Sequence, residues 1–121
     1  MTTDTRIADW DNYGAGLRAR GKELTELHPE LMKGFAALNR AASATQHLDA
    51  KTREFIALAV AVTTRCQGCI EAHARKAKAA GATKAEIAEA LGVAVALNAG
   101  AALTYSMHAL DAMDGTGQGQ G

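Results

Sequence analysis

Cys66, Cys69 and His73 lie within nine residues of one another, in the segment RCQGCIEAH over residues 65–73. Side chains three, four and seven positions apart share one face of a helix, so a helix here would align all three. The spacing also lets the sulfurs close a local disulfide, so that one thiol attacks an oxidant and the other resolves the product. Histidine can accept or relay the proton. This pattern predicts a thiol redox centre.

Two other interpretations of the cysteine pair stay open. The cysteines can be two small buried hydrophobes. A structural zinc site needs four ligands, which Cys66, Cys69, His73 and one remote histidine would supply, the candidates being His28, His47 and His108. A second Cys-x-x-Cys is absent from the sequence. The redox hypothesis is therefore favoured, and we predict neither a metal nor a cofactor.

The helix dipole and the proximity of His73 favour different cysteines as the attacking thiolate. Free N–H groups and the dipole at the start of a helix stabilise a thiolate there, which favours Cys66. Cys69 lies one helical turn before His73, a possible proton acceptor, which favours Cys69. We favour Cys69.

Glu54 is a fourth candidate, at the edge of the apolar run FIALAVAV and twelve residues before Cys66. A buried carboxylate is costly without partners, so a buried Glu54 would be a candidate for passing protons to His73 or to a cysteine. Alternatively, Arg53 and Glu54 occupy the exposed first turn of a helix, where glutamate complements the helix dipole. The sequence favours neither alternative.

The four candidate residues together resemble the active-site pattern of the alkylhydroperoxidase D-like family, in the carboxymuconolactone decarboxylase superfamily. The pattern consists of Glu54, eleven further residues, the pair Cys66-x-x-Cys69, three further residues and His73. The resemblance extends over about residues 31–112. It implies a peroxidase in which Cys69 is the peroxidatic thiolate, Cys66 the resolving thiol, and Glu54 and His73 a proton relay. The substrate would be a hydroperoxide, and a dithiol such as a lipoyl-bearing protein would reduce the resulting redox-active disulfide.

One position departs from the family pattern. The namesake carries an additional histidine immediately before its second cysteine, and that position here is Gly68. The decarboxylase branch of the superfamily acts on a cyclic lactone acid and does not depend on a cysteine pair, so the intact pair argues against that activity. Decarboxylation is the second hypothesis, and a non-enzymatic zinc-binding or interaction module is the third.

The elements that must position these residues are helical, because the chain has one proline, few β-branched clusters and apolar residues at helical spacing. We predict an all-α fold of about six helices, over about residues 5–21, 29–42, 50–65, 66–81, 84–97 and 99–113. The all-round apolar stretch 55–62 predicts that the third helix is central and buried on most sides. Candidate core contacts on the first two helices are Ile7, Trp10, Leu17, Leu31, Phe35 and Leu38.

Local signals mark the helix ends. Pro29 suits the first position of the second helix, Asp49 the cap of the third, and Gly81 a left-handed cap after the fourth. Thr83 and Glu86 form a capping box before the fifth helix. A break at 98–100 would separate the sixth. The small residues at 92, 96 and 100 predict a close approach, either to a second subunit or to the chain itself.

Length and composition predict a single domain over residues 1–114, with its core at about 31–112, and a disordered tail at 115–121. The 13 basic and 13 acidic residues form no like-charged run, which disfavours nucleic-acid and membrane-surface partners. We see neither a signal peptide nor an apolar stretch of the roughly 18 residues needed to cross a membrane, so we predict a cytoplasmic protein.

Apolar residues make up 48% of the chain but aromatic residues only 4%, and many of the apolar residues are alanine. Alanine removes little surface from water, so the core should be thin. We therefore predict a homo-oligomer, and the family resemblance implies intertwined helices in a trimer or hexamer.

Overall fold

The computed structural model describes residues 3–117 and contains, over that range, five α-helices and no strand. They are α1 (Trp10–Leu27), α2 (Pro29–Ser43), α3 (Ala50–Thr64), α4 (Gln67–Ala79) and α5 (Lys84–Gly115). The all-α fold class is confirmed. Helix α3 packs against α4 and α5, while α1 packs against α2 and α4. The two helices that carry the candidate site residues therefore lie at the centre of the chain.

Short-range interactions define several helix ends as predicted. Pro29 is the first residue of α2, and the side chain of Asp49 caps α3 by accepting a backbone N–H of its first turn. Thr83 and Glu86 form a reciprocal capping box at the start of α5. Gly81, in the turn before α5, has a φ of +88°, which glycine adopts without steric cost. All four predictions are confirmed.

Helix α1 is shifted along the sequence relative to the prediction of residues 5–21. It begins at Trp10, because Asp9 caps it, and it continues through Gly21 to Leu27. Ile7 lies before the helix and its side chain is 95% exposed, so its assignment to the core is wrong. Apolar spacing alone did not reveal that the Asp9 cap makes the helix begin five residues later than predicted, at Trp10.

The predicted break at 98–100 and the separate sixth helix are wrong, because α5 continues through both positions. The side-chain amide of Asn98 donates to the Ala94 carbonyl and to the Thr63 hydroxyl, both at 2.8 Å. Its polar group is therefore satisfied between α5 and α3 without ending the helix. Gly100 costs a helix only about 1 kcal/mol relative to alanine, and the many alanine and leucine residues around it favour the helix.

The core of the chain is small, as predicted. Among the described residues the buried apolar side chains are Leu58, Ala61, Ala77 and Ala94. Ile56 and Val60 are about half exposed, so α3 is less enclosed within one chain than the sequence suggested. The apolar side chains of α2 and α5 are also largely exposed, among them Leu31, Phe35, Leu38, Val93, Val95, Leu97, Leu103, Tyr105, Met107, Leu110 and Met113.

The small-residue stripe on α5 is also open. Apart from the adjoining residues and the nearby backbone of α5 itself, no atom of the part of the chain that the structure describes lies within 4 Å of a Cβ placed at Gly92 or Gly100. The alternative in which this stripe packs against its own chain is therefore wrong. Of the predicted tail, Gly115 ends α5, and residues 118–121 lie outside the described range.

By length and composition, α5 qualifies as a helix that could cross a membrane. The most apolar window of this 32-residue helix has a mean hydropathy of 1.6, and 6% of it is buried within the chain. The expectation that no stretch reaches membrane-spanning length is therefore wrong for α5. Composition alone does not assign a span, because an apolar helix that packs in a protein assembly meets the same test.

Candidate active site

The cysteine pair lies at the turn between α3 and α4. Arg65 closes the end of α3 in a left-handed conformation with φ of 54°, and Cys66 follows as the N-cap of α4. Cys66 and Cys69 are joined by a disulfide, with their Cα atoms 5.2 Å apart. The backbone N–H of Cys69 donates to Sγ of Cys66 at 3.2 Å. The cap therefore places one sulfur at the positive end of the helix, where negative charge is stabilised.

Glu54 and His73 face each other across α3 and α4. Oε2 of Glu54 lies 2.6 Å from Nδ1 of His73, the distance of a short, charge-assisted hydrogen bond. The Glu54 side chain is 14% exposed and that of His73 is 30% exposed. Of the two alternatives for Glu54, the exposed first-turn position is therefore wrong. The carboxylate is mostly buried, and its partner is one of the predicted site residues.

The four candidate residues thus come from one α3–α4 hairpin. Cys66, Cys69 and His73 follow one another along the first two turns of α4 at the predicted spacing. His73 follows Cys69 by four positions, which corresponds to about 6 Å of helix rise. The structure places Glu54 beside His73, one helical turn after Cys69. The catalytic roles of these residues stay a prediction.

Helix α1 covers one side of the cysteine turn. A Cβ added at Gly68 would lie 2.6 Å from Cδ2 of Leu17 and 3.8 Å from the hydroxyl oxygen of Tyr13. Position 68 is therefore filled by a side chain from α1. A histidine, which the family's namesake carries at this position, would have to displace the end of the Leu17 side chain. Leu17 and Tyr13 were not recognised as neighbours of the site, because no local pattern links α1 to α4.

A mostly buried carboxylate, that of Glu71, links α1 to α4. The Glu71 side chain is 10% exposed and pairs with Arg18 of α1 at 3.5 Å and with Arg75 of α4 at 3.4 Å. A Cβ at Gly14 would lie 2.5 Å from Oε1 of Glu71, so a glycine lets α1 approach this closely. The i, i+4 pair of Glu71 and Arg75 is readable from the sequence, whereas the contacts across α1 are not.

A cleft of about 530 Å³ opens beside the Glu54–His73 pair, between the end of α2, the start of α3 and α4. Both side chains line it, together with Arg40, Arg53 and Lys76. None of these three cations is among the site residues predicted from the sequence. Two of them have a signal in the sequence, because Arg53 directly precedes Glu54 and Lys76 follows His73 by three positions, on the same side of a helix. Arg40 has no such signal.

The remaining histidines do not join the site. His28, His47 and His108 are exposed, and His108 stacks against Tyr105 with ring centroids 4.5 Å apart. Within residues 3–117, no group of three or more His, Cys, Asp or Glu side chains is arranged to hold a metal ion. The geometry therefore gives no support to the zinc-site hypothesis.

These features define an all-helical domain whose central hairpin carries a Cys-x-x-Cys disulfide and a hydrogen-bonded Glu–His pair. Residues 29–112 match the sequence profile of the carboxymuconolactone decarboxylase family, and the chain belongs to that family. This confirms the resemblance to the alkylhydroperoxidase D-like proteins at the level of their superfamily, which includes enzymes.

Relatives extend the match along almost the whole chain. An uncharacterised protein of Haemophilus influenzae is 53% identical over 106 residues, covering 88% of this chain and 94% of the relative. The apo crystal structure of a carboxymuconolactone decarboxylase family protein from Legionella pneumophila has a TM-score of 0.70 and 36% identity, covering 87% of this chain and 94% of that one. A Methanobacterium thermoautotrophicum structure has a TM-score of 0.66 and 32% identity, covering 70% and 96%.

Proposed function

We propose that the protein is a thiol peroxidase that reduces hydroperoxides through Cys66 and Cys69, with Glu54 and His73 as its proton relay. The observation that carries this proposal is the hydrogen bond between Glu54 and His73, because His73 lies on the same helix as the cysteine pair. A catalytic base held by a third group is the arrangement that activates a nucleophile. Lactone decarboxylation, the activity in the family's name, is the alternative, but it gives the cysteine pair no role.

The first chemical step consumes the hydroperoxide. The Cys69 thiolate attacks the terminal peroxide oxygen, so an S–O bond forms while the O–O bond breaks. The leaving alkoxide takes a proton and departs as an alcohol. Sulfur loses two electrons, the peroxide gains them, and Cys69 is left as a sulfenic acid.

The second step closes the disulfide. The Cys66 thiol attacks the Cys69 sulfur, forming the S–S bond and expelling the sulfenic oxygen as water. A dithiol, for example on a lipoyl-bearing protein, then reduces the disulfide by two successive exchanges and is itself oxidised. A cytoplasmic location would supply such a reductant. When the dithiol attacks Cys69, Cys66 leaves as a thiolate, which the N–H of Cys69 is placed to stabilise.

His73 moves the protons in this scheme. An ionised Glu54 accepts the hydrogen bond of Nδ1–H, which leaves the Nε2 lone pair to take the proton of the attacking thiol. The same nitrogen then gives that proton to the departing alkoxide. Glu54 holds the ring in the required tautomer and orientation and stabilises the imidazolium that forms between the two transfers.

Mass spectrometry of the reduced protein tests this function directly. After one equivalent of an organic hydroperoxide, the chain should lose about 2 Da, and peptide mapping should place the loss on a peptide that links Cys66 and Cys69. An equal sample treated with the corresponding alcohol is the control and should keep its mass. A chain that retains both free thiols under excess hydroperoxide would rule the function out.

We further propose that the protein works as a homo-oligomer. The chain exposes 9722 Å², whereas a folded monomer of its mass typically exposes about 6,200 Å². The excess is several times the roughly 800 Å² that one partner contributes to a standard interface. Because the excess includes the open apolar faces of α2 and α5, light scattering should give a trimer or hexamer. A monomer at micromolar concentration would contradict this.

A further inference from the structure

The cleft beside His73 carries an excess of positive charge. Three cations from three different helices line it: Arg40 near the end of α2, Arg53 near the start of α3 and Lys76 on α4. The one carboxylate in its lining is Glu54, which is hydrogen-bonded to His73. A protein whose acidic and basic residues are equal in number thus gathers three cations around one small cavity.

None of these three cations is neutralised by an ion pair among the residues that the structure describes. Nη1 of Arg53 donates to the Thr45 hydroxyl at 2.6 Å and to the Leu48 carbonyl at 3.4 Å, which holds the guanidinium in place without neutralising it. Within residues 3–117, Arg40 and Lys76 make neither a hydrogen bond nor an ion pair through their side chains. The cleft therefore has one positioned cation and two that are free to take an anion.

We propose that this cleft binds the carboxylate of an acidic organic hydroperoxide. The inference rests on the proposed peroxidase function and adds the substrate class. Lys76 lies seven residues after Cys69, or about 10 Å along α4, and His73 lies between them. A substrate whose carboxylate reaches Arg40 and Lys76 would lay its chain past His73 and present the hydroperoxide group to Cys69. A carboxylic acid of medium chain length has that reach, and its carboxylate is unchanged by the reaction.

A matched pair of substrates tests this inference. A medium-chain fatty-acid hydroperoxide and its methyl ester differ only in the charge that the cleft would bind. The wild-type protein should be oxidised about tenfold faster by the acid, and 0.5 M salt should reduce that ratio. Arg40→Gln and Lys76→Gln should each lower the acid-to-ester ratio about two- to fivefold, the range expected for exposed charge pairs. Lys78→Gln removes the same charge from α4 outside the cleft and should keep the ratio.

A second measurement is independent of any peroxidase chemistry. Titration with octanoate should shift the ring signals of His73 in the NMR spectrum of the wild-type protein and not those of the Arg40→Gln, Lys76→Gln double variant. Equal rates with acid and ester, or an equal loss in Lys78→Gln, would overturn the carboxylate site and leave the peroxidase function standing. Octanoate binding that depends on the two cations, with no hydroperoxide consumed, would support the site and overturn the peroxidase.

Discussion

Replacing Cys69 with serine should abolish hydroperoxide reduction, whereas Cys66→Ser should still reduce one equivalent per chain. Serine lacks a thiolate, so Cys69→Ser removes the proposed nucleophile and should slow the reaction by at least about a thousandfold. In Cys66→Ser the first step remains, but no thiol can resolve the sulfenic acid. Stopped-flow measurement of peroxide consumption, with mass spectrometry for the gain of about 16 Da on Cys69, checks both expectations.

Gln67→Ala is a suitable control for both variants, because it alters an exposed side chain between the two cysteines and removes no thiol. It should keep the wild-type time course. The opposite pattern, with a surviving first step in Cys69→Ser and none in Cys66→Ser, would assign the attack to Cys66. Survival of repeated turnover in either serine variant would show that the pair does not act as a couple.

The position of each cysteine in α4 gives a reason to assign the two roles differently. Cys66 is the N-cap of α4, and its sulfur accepts the N–H of Cys69, so the helix stabilises a thiolate at Cys66. A stabilised thiolate is a good leaving group but a weaker nucleophile. Those properties suit the resolving cysteine, which leaves when the disulfide is reduced. In the proposed mechanism, Cys69 is then the attacking thiol, and His73, one helical turn further along α4, accepts its proton.

The parts of the site that the sequence predicted are those governed by local rules. Spacing within one helix fixes the order of Cys66, Cys69 and His73, and the caps at Asp49 and Thr83 act within three residues. These features depend on helix geometry and capping, which are nearly independent of tertiary context. The pairing of Glu54 with His73 was one of two open alternatives, because burial of a carboxylate is a property of the packed hairpin.

The features that the sequence did not predict depend on contacts between distant segments. Leu17 fills the space above Gly68, and Gly14 admits Glu71, although more than 50 residues separate the partners in each pair. In each pair a glycine is needed because a side chain of another helix occupies the space where its own side chain would lie. The continuity of α5 was missed for a related reason, since the amide of Asn98 finds its partner on α3.

The covering of Gly68 by α1 also bears on the missing histidine of the family pattern. With Leu17 at that position, a relay through residue 68 is replaced by apolar packing. In the proposed mechanism, proton transfer then depends on His73 and Glu54 alone. The Glu–His pair should consequently be more sensitive to substitution here than in a relative with a further relay member.

Glu54→Gln and His73→Ala should each slow the first oxidation step by about a hundredfold or more, within the range for loss of a general acid–base catalyst. Glutamine preserves the size of the side chain but removes the charge that supports Nδ1–H and the imidazolium. Because both residues act through one proton transfer, the double variant should be no slower than His73→Ala. Stopped-flow oxidation of the reduced protein measures all three.

Two comparisons separate a catalytic effect from a loss of folding. Glu71→Gln changes a carboxylate of similar burial on α4, so it should lower thermal stability by breaking the pairs with Arg18 and Arg75 but keep the oxidation rate. Added imidazole should restore part of the rate of His73→Ala, because the cleft beside residue 73 gives the base access, and it should not restore Glu54→Gln/His73→Ala to the same extent. Equal rescue of His73→Ala and of the double variant would show that Glu54 does not act in the proton relay. Stronger rescue of His73→Ala would show that the Glu54 carboxylate orients the base.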